Sequence, residues 1–445
     1  MNTEPVLYLL SCFLLHLLSS RKQSTASACA PIYNLAVDCG ATSPQTGPDG
    51  RSWTGDHLKY APAEQPINGQ KSISATASNQ AVARVPYYVA RVSTSPFSYS
   101  FPVTSGQTFI RLHFYPTDYS EFNRSSSFFH VTAGDFTLLS NFSASLTADY
   151  LNRDVFVKEF CLNIDQESQK LNITFIPVSN SHAFVNGIEV VSMPIILYSG
   201  NNIDNTRVIN IDLPPTNSAL ETMYRLNIGG AAISANDDTG MFRSWDSDDS
   251  FLASQTGVVP VNSSIQPHYS KIPNYTAPGE LYKTARSMGT NGTKNMMYNL
   301  TWSLEVDTGF TYLVRLHFCE FEPEIQVDND REFKIYIANQ TAEEQADVIL
   351  WSGGNGIPVY RDYAVNINYE NPKTKTNLLI ALHPGPHGMT RYADAILNGL
   401  ELFKISNSDN NLAGPNPNPT FSPPNQEPEK ALMIKITVYT CKISC

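Results

Sequence analysis

The pentapeptide Ile110-Arg111-Leu112-His113-Phe114 returns 204 residues later as Val314-Arg315-Leu316-His317-Phe318. In each, three apolar residues alternate with an arginine and a histidine, the period of two that marks a half-buried β-strand. Blocks on either side keep the same order. Arg51-Ser52-Trp53 matches Arg243-Ser244-Trp245, Ala90-Arg91 matches Ala285-Arg286, and Gly106 matches Gly309. Phe129-His130-Val131 matches Phe333-Lys334-Ile335, Leu171 to Pro177 matches Leu378 to Pro384, and AFVNGIE (Ala183 to Glu189) matches AILNGLE (Ala395 to Glu401). Offsets that drift only from 192 to 212 mean two copies of one domain.

The repeated blocks read as short strands between Gly, Pro, Asn and Ser turns, and no stretch carries long helical periodicity with caps. Asn186-Gly187 and Asn398-Gly399, each between apolar residues, read as hairpin turns. The fold class expected is all-β, with two tandem β-sandwich, jelly-roll-like domains. The expected organisation is a signal peptide at 1–28, a first copy at 31–193, a connecting segment at 194–222, a second copy at 223–405, and a Pro/Asn-rich stalk with an atypical C-terminus at 406–445.

Composition narrows the class of function. The 445 residues carry a formal net charge of −11, which disfavours nucleic acid and would steer a basic ligand inward. The apolar run Val6 to Leu18 has the length of a signal-peptide core and is too short to span a bilayer, and Ala26-Ser27-Ala28 follows as a cleavage site. Cleavage would leave Cys29, Cys39, Cys161, Cys319, Cys441 and Cys445, an even set that permits disulfides in a pairing the sequence does not give. No spacing of zinc type is present, and no metal or cofactor is expected. Eight Asn-x-Ser/Thr sequons, at Asn123, Asn141, Asn172, Asn262, Asn274, Asn291, Asn299 and Asn339, fit a secreted glycoprotein.

The strings YRLNIGGAAISANDDTGMFRSWDSD (Tyr224 to Asp248), YTAPGELYKTARSMG (Tyr275 to Gly289), YLVRLHFCEFE (Tyr312 to Glu322), ADVILW (Ala346 to Trp351) and AILNGLELFKIS (Ala395 to Ser406) carry a specific likeness. They resemble the plant malectin-like receptor kinases of the FERONIA, THESEUS and ANXUR type. The resemblance covers roughly residues 32–415 and is closer in the second copy. It implies a tandem malectin-like ectodomain at the cell surface that perceives basic rapid alkalinization factor peptides with a glycosylphosphatidylinositol-anchored co-receptor, in growth, wall-integrity or reproductive signalling. The family continues into a membrane helix and a Ser/Thr kinase. Here Lys435 and Lys442 interrupt the last apolar run, and no kinase motif is present. The expectation is a non-enzymatic chain in the apoplast, or at the plasma membrane if the sequence is the outer part of a receptor. A secreted wall lectin and a ligand-sequestering decoy are the alternatives.

Two groups of site residues follow. The first copy carries a net charge of −3 and the second −7, and within the second Glu320, Glu322, Glu324, Asp328, Asp330 and Glu332 cluster after a strand. They are candidates for capturing a basic peptide, against the plainer reading of solvated loop charge. Trp53, Tyr60, Tyr87, Tyr88, Tyr115 and Tyr119 are candidates for stacking on a sugar such as pectin, against burial in a core. His113 and His317, repeated beside Arg111 and Arg315, are expected to share a structural role.

Overall fold

The computed structural model describes residues 29–64, 71–79, 83–165, 169–194, 197–198, 206–209, 217–253, 257–367, 374–386 and 388–418. The expected signal peptide at 1–28, residues 419–445 and part of the connecting segment lie outside the described residues. Each copy is a β-sandwich. In the first, strand Gly106–Phe114 runs antiparallel between Phe156–Ile164 and Gly187–Ser192, and Asn34–Asp38 continues the layer. Facing it is a five-stranded sheet built on Phe97–Pro102, Phe129–Ala133, Phe136–Phe142 and Lys170–Pro177. The second copy repeats this, with Phe310–Phe318 between Val359–Ile367 and Gly399–Ile405, faced by Leu300–Asp307, Lys375–Pro384, Glu332–Ile337 and Gln340–Asp347.

The alternation read from the sequence sets the core. Ile110, Leu112 and Phe114 join one apolar cluster, and Val314, Leu316 and Phe318 join its counterpart. The opposite face departs from expectation, because Arg111, His113, Arg315 and His317 are also buried. The strands are covered on both sides, and the side a single strand's pattern assigns to water faces charged partners instead.

Part of that covering, over the arginines, comes from the joining of the copies. Strand Leu220–Asn227 pairs antiparallel with Phe156–Ile164 through Phe160↔Glu221 and Cys161↔Leu220, so both front layers merge into one sheet of twelve strands. Leu220 to Thr222, assigned from sequence to the connecting segment, therefore form the seam strand. Within the same segment, Thr206–Ile209 adds a parallel edge strand to Val359–Ile367. An apolar cluster including Phe109, Met193, Tyr198, Met241 and Phe403 fills the seam.

Three further readings change. Asn186 and Asn398 are not hairpin turns: each directly follows a short strand of one sheet, and the next glycine begins a strand of another. The glycines are needed for close packing, since a Cβ at Gly187 would lie 2.8 Å from Trp53 and Pro86, and one at Gly399 2.6 Å from Leu281. The start of the expected stalk is docked. Thr137 N–H donates to Asn410 O and accepts through its carbonyl from Leu412 N–H, both at 2.9 Å, and Leu412 is fully buried in the first copy's core. The four described cysteines, Cys29, Cys39, Cys161 and Cys319, are unpaired.

Candidate functional site

The repeated residues assemble into the same constellation twice. In the first copy, His113 Nε2 lies 2.7 Å from Glu189 Oε1, its Nδ1 3.0 Å from the Tyr87 hydroxyl, and Trp53 meets the ring edge-on at 5.2 Å. In the second, His317 lies 3.0 Å from Glu401 and 3.1 Å from Tyr282, with Trp245 edge-on at 5.6 Å. Burial pushes both glutamates up, but neighbouring arginine and the histidine hydrogen bond outweigh it and hold them well below the usual carboxylate range. An ionised carboxylate only accepts, so Nε2 carries the proton in both rings. Burial pushes His317 down, leaving it neutral, and Tyr282 O–H then donates to its bare Nδ1. Asn186 and Asn398 complete each unit, their side-chain oxygens accepting from Tyr115 N–H at 2.7 Å and Cys319 N–H at 2.8 Å.

A second duplicated unit lies beside the first. Asp56 receives Arg91 at 2.8 Å and the Tyr99 hydroxyl at 2.8 Å. Asp248 receives Arg286 at 2.5 Å and Trp302 Nε1 at 2.7 Å.

The copies differ in access. His317, Tyr282 and Trp245 are completely buried. His113, Tyr87 and Trp53 border a cleft of about 1160 Å³ between the copies. Phe242, from the second copy, reaches across it with its ring 4.1 Å from the Arg51 guanidinium, and takes a left-handed φ of 60° that a bulky residue rarely adopts. The cleft holds seven carboxylates and seven Lys or Arg side chains in its lining. Most are paired with each other, some of them across the seam. Glu159 links Arg111 of its own copy to Arg225 of the other, and Lys404 links Glu221 to Asp307. Burial pushes Glu159 up, yet Arg225 and Arg111 hold it at about 2, and Lys404 and Lys375 likewise hold the buried Asp307 at about 2. The cleft floor is a neutralised frame and offers no surplus charge to a ligand.

The acidic candidates are not one surface. Glu320 is fully buried against Arg331 at 2.6 Å, and Glu322 shares that arginine at 2.8 Å. Asp330 is buried and accepts from Gln326 and Val327 N–H, and Glu332 is buried as well. Glu324 and Asp328 alone of the six are exposed. The correction has a simple cause: buried arginine and loop N–H groups consume carboxylates that a charge count credits to the surface.

The sugar platform fails similarly. Trp53, Tyr60, Tyr115 and Tyr119 are buried, leaving partial exposure only to Tyr87 and Tyr88. Of the sequons, Asn123, Asn141, Asn172, Asn291, Asn299 and Asn339 are exposed, while Asn262 and Asn274 are half-buried. Among the described residues no group of three His, Cys, Asp or Glu side chains could hold a metal ion, and no helix is long and apolar enough to cross a membrane. Sequence reasoning found His113 and His317 but gave no role to Glu189 and Glu401, whose repetition in AFVNGIE and AILNGLE was the available signal. Glu159 and Arg225 carried no signal, because the seam they hold is not repeated.

The malectin-like domain family matches residues 37–405. The chain belongs to that family. It is 44% identical over 419 residues to the receptor-like protein kinase FERONIA of Arabidopsis thaliana, covering 91% of this chain and 46% of that protein. It is 37% identical to the receptor-like protein kinase ANXUR2 of the same plant, covering 96% of this chain and 49% of that one. The chain thus spans about half the length of the curated relatives it matches. Among solved structures, the plant receptor-like kinase FER superposes with a TM-score of 0.79 at 44% identity, covering 87% of this chain and all of that one. The complex of the plant peptide RALF23 with FER and LLG2 contains a chain that superposes at 0.78 with 43% identity, covering 87% of this chain and 99% of that one. The malectin-like chain described here is therefore an all-β tandem ectodomain of FERONIA type.

Proposed function

We propose that this malectin-like chain is the extracellular, ligand-binding part of a FERONIA-type receptor kinase, and that it perceives basic peptides of the rapid alkalinization factor type together with a glycosylphosphatidylinositol-anchored co-receptor. One observation carries the reading: its likeness, at 43% identity, to the FER chain solved with RALF23 and LLG2. The net charge of −11 supports it, since an acidic platform accelerates encounter with a basic peptide. So does the continuous seam, which presents both copies on one shared sheet. Binding, with no chemistry of its own, is the role assigned to this chain, and the six exposed sequons are its glycan acceptors.

The test uses the purified glycosylated chain and a synthetic basic peptide of that type, with and without the co-receptor, by interferometry at two salt concentrations. Saturable binding that strengthens with the co-receptor and weakens with salt is expected. Absence of binding in both arms overturns the reading.

A further inference from the structure

With four of the six clustered acids turned inward, the exposed negative charge of that region reduces to Glu324 and Asp328, and the same and adjoining segments carry exposed apolar side chains. Val327, between them in sequence, is 60% exposed, Leu350 61% and Met389 54%. These three are carried by segments bound to one another at one end of the second copy. Asp347 accepts Asn329 N–H at 2.6 Å and Leu350 N–H at 2.9 Å, and Arg391 N–H donates to Asn329 O at 3.0 Å. Asp330 pins the intervening loop by accepting Val327 N–H at 3.0 Å.

The frame is therefore fixed before any partner arrives. Its loop N–H groups are held by Asp330 and Asp347, while what it displays is apolar with an acidic margin. Exposed apolar groups rimmed by charge mark interaction surfaces, and a rigid one binds without paying to order itself. Glu324 and Asp328 have no ion-pair partner among the described residues, unlike the cleft acids. Arg391, on the neighbouring segment, is 65% exposed and already lies 3.4 Å from Asp330.

We propose that this end of the second copy docks a basic, amphipathic segment of a peptide ligand. The segment's Lys or Arg groups pair with Glu324 and Asp328, and its apolar side chains cover Val327, Leu350 and Met389. The proposal rests on the reading that the chain receives a basic peptide, and it places that contact away from the cleft.

Two double variants of the glycosylated chain test it, with the same synthetic basic peptide as probe. Glu324→Lys with Asp328→Lys is expected to slow association at least tenfold at low salt and to flatten the salt dependence. Val327→Ser with Leu350→Ser is expected to speed dissociation several-fold with association unchanged. All four side chains are exposed, so folding is preserved, and reversal of the exposed Glu280 serves as a control that leaves both rates alone. If the unmutated chain binds and both double variants match it, this surface is overturned while the peptide reading stands. If only co-receptor binding changes, the surface belongs to a protein partner and the proposal falls. If the unmutated chain does not bind, both fall together.

Discussion

Glu159 of the first copy and Arg225 of the second meet across the seam at 2.9 Å, with both side chains almost wholly buried. Glu159 also receives Arg111 at 2.6 Å, and Arg225 also reaches Glu401 at 2.9 Å, so one carboxylate ties the charged strands of both copies together. A buried pair of this kind is weak evidence of stability gained, but breaking it strands a charge in low dielectric. Glu159→Gln keeps the shape but removes the shared carboxylate from two buried arginines, leaving Arg111 to Glu189 and Arg225 to Glu401. It is expected to cost about 3–5 kcal/mol and to separate the unfolding of the copies in chemical denaturation. A single transition at unchanged midpoint would refute that.

Two buried carboxylates of the cleft floor set a pH window. Glu159 and Asp307 stand at about 2 when folded, below an unfolded value near 4. A lowered folded pKa contributes stability that is complete above the unfolded value and lost as pH falls through the folded one. The seam is thus expected to hold at full strength down to about pH 4.5 and to fail between about pH 4 and 2. Inter-copy distances followed by small-angle scattering against pH check this, and opening already at pH 5 would contradict it.

The duplicated histidines should not be equivalent. Replacing His317 by Phe leaves Glu401 and Tyr282 short of a partner in a sealed interior, at about 2–4 kcal/mol. Replacing His113 by Phe exposes Glu189 and Tyr87 to a cleft where water can substitute, at about 1–2 kcal/mol. Thermal melts of the two variants give the order, and equal losses would show that the cleft does not admit water to this unit.

Asp38 and Asn227 occupy the same register, each next to the strand that follows the first in its copy. Asn227 donates to Ala231 O at 2.8 Å and accepts from Thr284 at 3.1 Å. Asp38 is buried with Oδ1 unpartnered, and burial, with Asp56 adding to it, pushes its carboxyl up to about 8. A raised acid pKa means the folded state holds a proton the unfolded state has lost, so stability declines from about pH 4 to pH 8. Asp38→Asn removes that decline, worth up to about 1.4 kcal/mol per pH unit. Variant and parent melts converging below pH 4 and diverging above it is the expected pattern, and parallel curves would refute it.

What the sequence made legible follows from what repetition records. The RLHF strands, the paired histidines and the two sandwiches each appear twice, so their spacing alone betrayed them. Glu189 and Glu401 were repeated too, but a conserved spacing does not say that a side chain turns inward to a ring. Glu320 and Asp330 were misread because net charge along a loop ignores Arg331 and the loop's own N–H groups. Asn186-Gly187 was misread because a tight turn and a close helix-free corner use the same dipeptide. The seam had no signature, since the pairing of Phe160 with Glu221 and of Cys161 with Leu220 occurs once.

Leu412 lies beyond the second copy in sequence yet completes the core of the first. Its neighbours hold it there: Asn416 donates to Asn141 O at 2.7 Å and accepts from Ser143 N–H at 2.9 Å, and a Cβ at Gly414 would strike the Asp307 carboxylate. A segment read as stalk thus straps both copies and forms part of the cleft wall, where Pro415 and Pro417 lie. Leu412→Ala should cost about 2–5 kcal/mol, as for other large-to-small core changes. The loss should fall on the first copy. Hydrogen exchange is expected to quicken at residues 136–143, where Thr137 binds the strap, while the sheet around Trp302 in the second copy keeps its protection. Uniform quickening in both copies would instead mean that the strap stabilises the seam as a whole, and unchanged exchange would mean that it is not bound in solution.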